Sequence, residues 1–525
     1  MKRQIVAAAV MSTLLTGAAF ADDLTIGLST EPTSIDPHYH NLTPNSSFSR
    51  HIFDTLIGQN EVQALVPGLA TSWKPLNDTT WELKLREGVK FHDGTDFNAD
   101  DVLFSFERAP NVPNSPSSFG AYAKGKVFKK IDDYTIHIET PGPSPLVPNE
   151  ISQISIVSDS IKDTATTADF NSGKAAIGTG PYKYKEYVPG DHIEITANPD
   201  YWGDKATWDN VTFKPISSGP SRIAALFAGD VDLISGVPTS DIENIKRTAG
   251  DRFGVWQGSS NRVIYLHLDQ FRENSPFVKA NDGSDIKNPL MDQRVRKALS
   301  KSIRREAIVQ RVMEGVAIPA GQLLPDGFFG VSDKLKVEPY DLDGAKALLD
   351  EAGYGDGFQL TVHGPNDRYI NDAKIAEALG QMFTRLGIKT SVETMPRSVY
   401  FKRASAGAEG LPEFSLILVG WGAGSGEASS PLKSLIHTYD KAHGFGSSNR
   451  GRYSNPEIDA MIEEALSTVD DTKRQELLAK ATEMAIEDLA IIPLHFQVNT
   501  WASKKGLKYL PRTDEFTLAM GVSKE

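Results

Sequence analysis

Few residues in this chain are placed for covalent chemistry. His38 and His40 stand two apart in Asp36-Pro37-His38-Tyr39-His40, and an extended segment would bring both imidazoles to one ion. No third ligand follows at a telling spacing, so no metal and no cofactor is expected. Gly422-Ala423-Gly424-Ser425-Gly426 lacks the spacing of a dinucleotide fingerprint and the helix that would receive a phosphate, and reads as a flexible loop at a strand end. The sequence has no G-x-x-x-x-G-K phosphate loop, no H-E-x-x-H pair and no G-x-S-x-G elbow, so it neither powers transport itself nor reads as an enzyme. Without a cysteine, thiol catalysis, thiolate metal sites and disulfides are excluded. Trp202, Trp208 and Trp421, taken singly, read as core or turn residues.

The elements that must position any site change character along the chain. Trp81 to Arg86, Tyr134 to Glu139 and His192 to Thr196 alternate apolar and polar residues, the period of half-buried strands. Further on, Ile375, Leu379, Met382, Phe383 and Leu386 share a helical face, as do Ile458, Met461, Ile462, Ala465 and Leu466 behind the cap Asn455 and first-turn Pro456. Phe414 to Val419 is a continuous apolar run typical of a buried strand. Two helices are expected with glycine stops, Leu342 to Ala352 before Gly353 and Arg294 to Glu314 before Gly315. Helix and strand in alternation predict an α/β lobe, and 525 residues predict more than one core.

At the N-terminus, Lys2 and Arg3 precede an apolar run and Ala19-Phe20-Ala21, the pattern of a cleaved secretory leader. Its loss after Ala21 leaves a chain beginning near Asp22, expected in the periplasm. The run is too short to span a bilayer. The net charge of −13 fits solubility and disfavours nucleic acid as a partner.

Leu69-Ala70-Thr71-Ser72-Trp73, Gly88-Val89-Lys90-Phe91-His92-Asp93-Gly94 and Ala99-Asp100-Asp101-Val102 closely resemble the signature of the bacterial extracellular solute-binding proteins of family 5. Gly178-Thr179-Gly180-Pro181-Tyr182, Asn198-Pro199-Asp200-Tyr201-Trp202, Val295 to Leu299, Ala345 to Tyr354, Arg452 to Asp459 and Ile492 to His495 resemble later landmarks in family order. The resemblance implies a two-lobed α/β periplasmic-binding-protein fold (type II, with an extra inserted subdomain), hinged on two strand crossings near Val263 and His495. The implied division is 1–21 leader, 22–55 and 178–262 first lobe, 56–177 inserted subdomain, 263–494 second lobe and 495–525 return to the first. Around the 90–101 motif, Gly88 and Gly94 would mark turns, with Asp100 capping a helix begun at Asp101.

The resemblance further implies the binding component of an ABC importer, a monomer that takes a peptide or peptide-like solute and serves an inner-membrane permease with separate ATPase subunits. Relatives on the same scaffold hold opine-like compounds, glutathione, oligosaccharides or metal chelates, which is the alternative; a secreted hydrolase is a third reading with no nucleophile behind it. In peptide-binding relatives a Trp at a strand end is followed three positions later by an Asp for the peptide ammonium group. Here Trp421 is followed by Gly424, which leaves Glu427 as the candidate carboxylate. Gly364 to Tyr369 resembles the segment whose Arg takes the solute carboxylate, making Arg368 the leading site residue. Glu31 and Pro32 match a cleft-facing loop, and Phe119 with Tyr122 matches an aromatic wall.

Overall fold

The computed structural model describes residues 22–163, 165–249, 251–407 and 410–525; the leader lies outside them. Two long strands organise the molecule. Phe253–Leu268 and Ile492–Lys504 pair antiparallel through most of their length and sit in the middle of one continuous sheet. On one side follow Leu233–Ser235, Asp23–Leu28, Asn210–Pro215, His192–Ala197 and Tyr182–Val188. On the other follow Leu416–Gly422, Gln359–Pro365 and Val278–Lys279, with Lys389–Met395 beside Gln359–Pro365. Each side has its own hydrophobic core, so the chain is a two-lobed α/β protein and the long strands belong to both lobes. Leu24, Ile26, Ile195 and Phe213 anchor the first lobe; Leu266, Leu299, Leu379 and Leu418 anchor the second.

The register of the central pair shifts between Ser259 and Val263. Such an irregularity kinks a strand and re-aims a side chain; here it lies at Arg262, on the floor of the cleft between the lobes.

A separate four-stranded antiparallel sheet, Ala70–Asn77, Thr80–Leu85, Thr135–Glu139 and Val127–Asp132 in spatial order, carries helix Ala99–Arg108 on a core of Leu83, Val102, Phe106 and Ile136. That helix is capped by Asn98, whose side chain accepts from Asp100 N–H while the Asp101 carboxylate returns to Asn98 N–H. Asp100 is therefore not the cap: the capping box starts two residues earlier, because Asn98 is the extended residue. Gly88 and Gly94 do turn the chain at φ +74° and +90°. Gly178 and Gly180 are needed for another reason: a Cβ at either would lie 1.9 or 2.6 Å from the Ile52 backbone.

In the second lobe, Asn455 caps Pro456–Ser467 as its sequence predicts. Leu342–Glu351 ends before Gly353 at φ +82°, and the apolar run forms strand Leu416–Gly422. The long helix expected over 294–314 is a correction. Helix Gln293–Ser302 stops where Ile303 turns extended, and a short helical segment resumes at Arg305. Arg305 is buried and donates to Pro493 O and Ser300 O at 2.8 and 3.1 Å; satisfying that guanidinium outweighs helix continuity.

Candidate functional site in the interlobe cleft

Two cavities run between the lobes and share a wall of Leu42, Thr43, Arg262 and Glu515. The one of about 620 Å³ faces Ser29, Thr30 and Ser235 of the first lobe and Arg368 and Arg397 of the second. Its neighbour, about 510 Å³, runs between the inserted sheet region at Gln63, Tyr122 and Asn149 and the second-lobe loop at Trp421, Ser425 and Lys433. Both volumes suit a drug-sized solute.

The shared floor is a two-pronged ion pair. Arg262 Nε and Nη2 donate to Glu515 at 2.9 and 3.0 Å, and Ser260 Oγ and Gln497 Nε2 add bonds at 2.8 and 3.2 Å. Burial pushes the Glu515 carboxyl up, but the charge and hydrogen bonds of Arg262, with Ser260, bring it below its ordinary value. Glu515 holds φ at +68°, a left-handed backbone that a non-glycine residue keeps only when its surroundings impose it.

Arg368 sits on the loop leaving strand Gln359–Pro365. Its N–H and that of Tyr369 donate to Asp372 at 2.9 and 3.0 Å, and Asp367 accepts the N–H of Arg397 at 2.6 Å. Both neighbouring carboxylates thus hold backbone. The Arg368 guanidinium reaches the cavity with its carbon 5.0 Å from the Tyr369 ring centre and with no side-chain acceptor among the described residues. Desolvation in the cleft and the like charge of Arg262 hold it below its ordinary value.

Trp421 lines the second cavity and donates Nε1–H to Ser430 Oγ at 3.2 Å. Tyr122 faces it from the inserted region. The glycine-rich loop is not free: Gln63 donates to Gly424 O at 3.1 Å and Asn149 to Ser425 O at 2.9 Å. Those bonds cross the cleft and draw the two lobes together.

The remaining expected residues lie elsewhere. The Glu427 carboxylate is buried against Arg474, at 2.9 and 2.8 Å from Nη1, and also accepts from Ser429. Glu31 accepts Gly190 N–H at 2.8 Å on the first lobe, outside both cavities, and Pro32 is buried beside it. Phe119 is core, packed on Tyr122 and His38. His38 bonds Ser155 O at 2.8 Å and His40 bonds Thr33 Oγ1 at 3.0 Å, so the two imidazoles do not converge. The sequence reading missed Arg262, Glu515, Arg397, Gln63 and Asn149. Only the floor pair had a cue, the strand crossing near Val263 that the family resemblance implies.

This chain belongs to the bacterial extracellular solute-binding proteins, family 5, whose model matches residues 64–443. It is the solute-binding component of an ABC importer, in a family whose members work with a permease and an ATPase. Heme-binding protein A of Haemophilus influenzae is 28% identical over 488 residues, 87% of this chain and 83% of that protein. The glutathione-binding protein GsiB of Escherichia coli K12 is 25% identical, covering 96% of this chain and 94% of that one. The structure of HbpA2 from Haemophilus parasuis superposes with a TM-score of 0.81 at 24% identity, over 96% of this chain and all of that one.

Proposed function

We propose that the cleft holds a peptide or peptide-like solute with a carboxylate on Arg368, and that the lobes close over it for delivery to an inner-membrane permease. The observation that carries this reading is the Arg368 guanidinium, which lines the cavity without an acceptor of its own. A solute enclosed between lobes loses its water, so its charge needs a fixed partner. Trp421 and Tyr122 supply aromatic walls for its apolar part. In this reading residues 22–262 and 495–525 form the first lobe, with 56–177 inserted, and 263–494 form the second. The hinge is the crossing of Phe253–Leu268 and Ile492–Lys504. A mature monomer in the periplasm, cut after Ala21, acts by binding and not by catalysis, and takes no nucleic acid.

Glutathione is itself a peptide, so the name of the Escherichia coli relative supports a peptide-like solute. The second reading is a non-peptide acid or chelate, and one observation favours it: Glu427 is engaged by Arg474, which leaves an ammonium group without that partner. Mass spectrometry of the compound released from protein purified from the periplasm separates the two. Small-angle scattering before and after stripping that compound tests closure, because a ligand that binds the closed form better shifts the molecule towards it. A larger radius of gyration after stripping supports the reading, and an unchanged one ends it.

A further inference from the structure

The cavity of about 620 Å³ carries more positive charge than one carboxylate requires. Arg262, Arg368, Arg397 and Glu515 are its charged groups. Three guanidinium groups less one carboxylate leave a surplus of two positive charges, in a protein whose net charge is −13. His40 adds none at neutral pH, because desolvation holds it below its ordinary value.

Topology sets the two unpaired arginines side by side. Strands Gln359–Pro365 and Lys389–Met395 are parallel neighbours, with Pro365 opposite Met395, so residues 366–368 and 396–397 leave the same edge of the sheet. The bond from Arg397 N–H to Asp367 ties those two exits together. Asp367 and Asp372, the carboxylates that would neutralise the pair, are occupied with backbone N–H groups. Neither guanidinium has an ion pair among the described residues. Two like charges held together and facing a cavity repel, and a ligand with two negative charges turns that repulsion into attraction.

The acids of the cleft point the same way. Glu515 is held by Arg262, Asp514 by Arg512 at 2.6 Å, and Glu150 by Lys126. These are the only carboxylates on either cavity wall among the described residues, so nothing there is set aside for a cation.

From this arrangement we infer that Arg368 and Arg397 form a paired anion site and that the solute is recognised by two negative charges, carried by two carboxylates or by one phosphate. The inference rests on the cleft being the solute site, and it adds the charge class. The hydroxyls of Ser29, Thr30 and Thr500 on the facing wall supply neutral donors to such a group.

The test uses an isosteric pair. Stripped full-length protein is titrated by calorimetry with N-acetyl-alanyl-glutamate, with its one-carboxylate isostere N-acetyl-alanyl-glutamine, and with glycerol phosphate, which distinguishes the phosphate source from the dicarboxylate source. The expected result is that one of the two dianions binds about tenfold or more tightly than the glutamine compound. Arg397→Ala should bring its affinity down to that of the glutamine compound, with Arg397→Lys between, since lysine keeps the charge but loses the fork. The preference should also shrink with added salt. The inference is overturned if neither dianion binds more tightly than the glutamine compound, or if the preference survives in Arg397→Ala. Scattering with the co-purified compound fails or succeeds separately: lobes that close on a neutral or zwitterionic solute keep the cleft and remove the paired anion site.

Discussion

Arg474 Nη1 lies 2.9 and 2.8 Å from the two carboxylate oxygens of Glu427, and both side chains are buried. The pair ties the loop after strand Leu416–Gly422 to helix Asp471–Glu487, and the Arg474 guanidinium lies 4.2 Å over the Phe329 ring. The one carboxylate that the sequence offered to a ligand ammonium group is thereby turned into the second lobe.

Glu427→Gln should therefore act on stability and not on binding. Removing one member of a buried ion pair costs about 3 to 5 kcal/mol, eased here because Asp471 remains 3.2 Å from Arg474. Calorimetric unfolding should show a clearly lower melting temperature, with ligand affinity unchanged in the folded protein. A variant with the parent melting point and weakened binding would return Glu427 to the site.

Arg368→Ala should do the opposite. No side-chain ion pair is lost, so the melting temperature of the stripped protein should stay put. Binding of the co-purified solute should weaken by about 2 to 5 kcal/mol, the range for cutting one partner from a desolvated charge pair. Titration calorimetry reads it, and parent affinity in Arg368→Ala would demote the residue to a surface charge.

Stability should fall as the solution is acidified. Burial holds His38, His51, His92 and His495 down to about 4, and His267 to about 3, against an ordinary value of 6.5. Below pH 6.5 the unfolded chain takes up protons that the folded one refuses, so the stability they contribute is complete above about 6.5 and is lost as the pH falls towards 4. Each such histidine contributes up to ~1.4 kcal/mol per pH unit inside that window. Asp101, which burial pushes up to about 6, works in the other direction, as do Asp54 and Asp372, which burial also raises. Melting temperatures between pH 8 and 4.5 check this, and a flat profile contradicts it.

The fold was more legible than the site because the fold is written in contiguous runs. Asn455-Pro456 before an apolar stripe specifies a helix start locally, and Gly178-Thr179-Gly180 reports a backbone crossing that only glycine permits. The helix break at Ile303 was hidden, since its cause is Arg305 reaching Pro493. The cleft hides for the same reason. Arg262, Arg368, Arg397 and Glu515 come from four separated segments, and no spacing rule joins them. Glu427 looked free because its partner lies 47 residues on. Arg368 and Trp421 were found through family resemblance, which carries three-dimensional information that periodicity does not.

Gly424 offers a gain-of-function test of the amine side of the cleft. A Cβ added there meets nothing within 4 Å, its φ is not in the left-handed region, and the residue lines the cavity beside Trp421. Gly424→Asp should therefore fold as the parent does and place one unpaired carboxylate where the parent has none. If peptides lie with their amino end against Trp421, the variant should bind Ala-Ala-Ala more tightly by about 1.5 kcal/mol, the low end for a hydrogen bond to a charged group. The N-acetylated peptide should gain nothing, because an amide carries no charge to meet the new carboxylate. Calorimetry on both peptides with both proteins gives the comparison. An equal response of free and blocked amines would mean that the amino end does not approach Gly424, and would favour a solute recognised through its acidic groups alone.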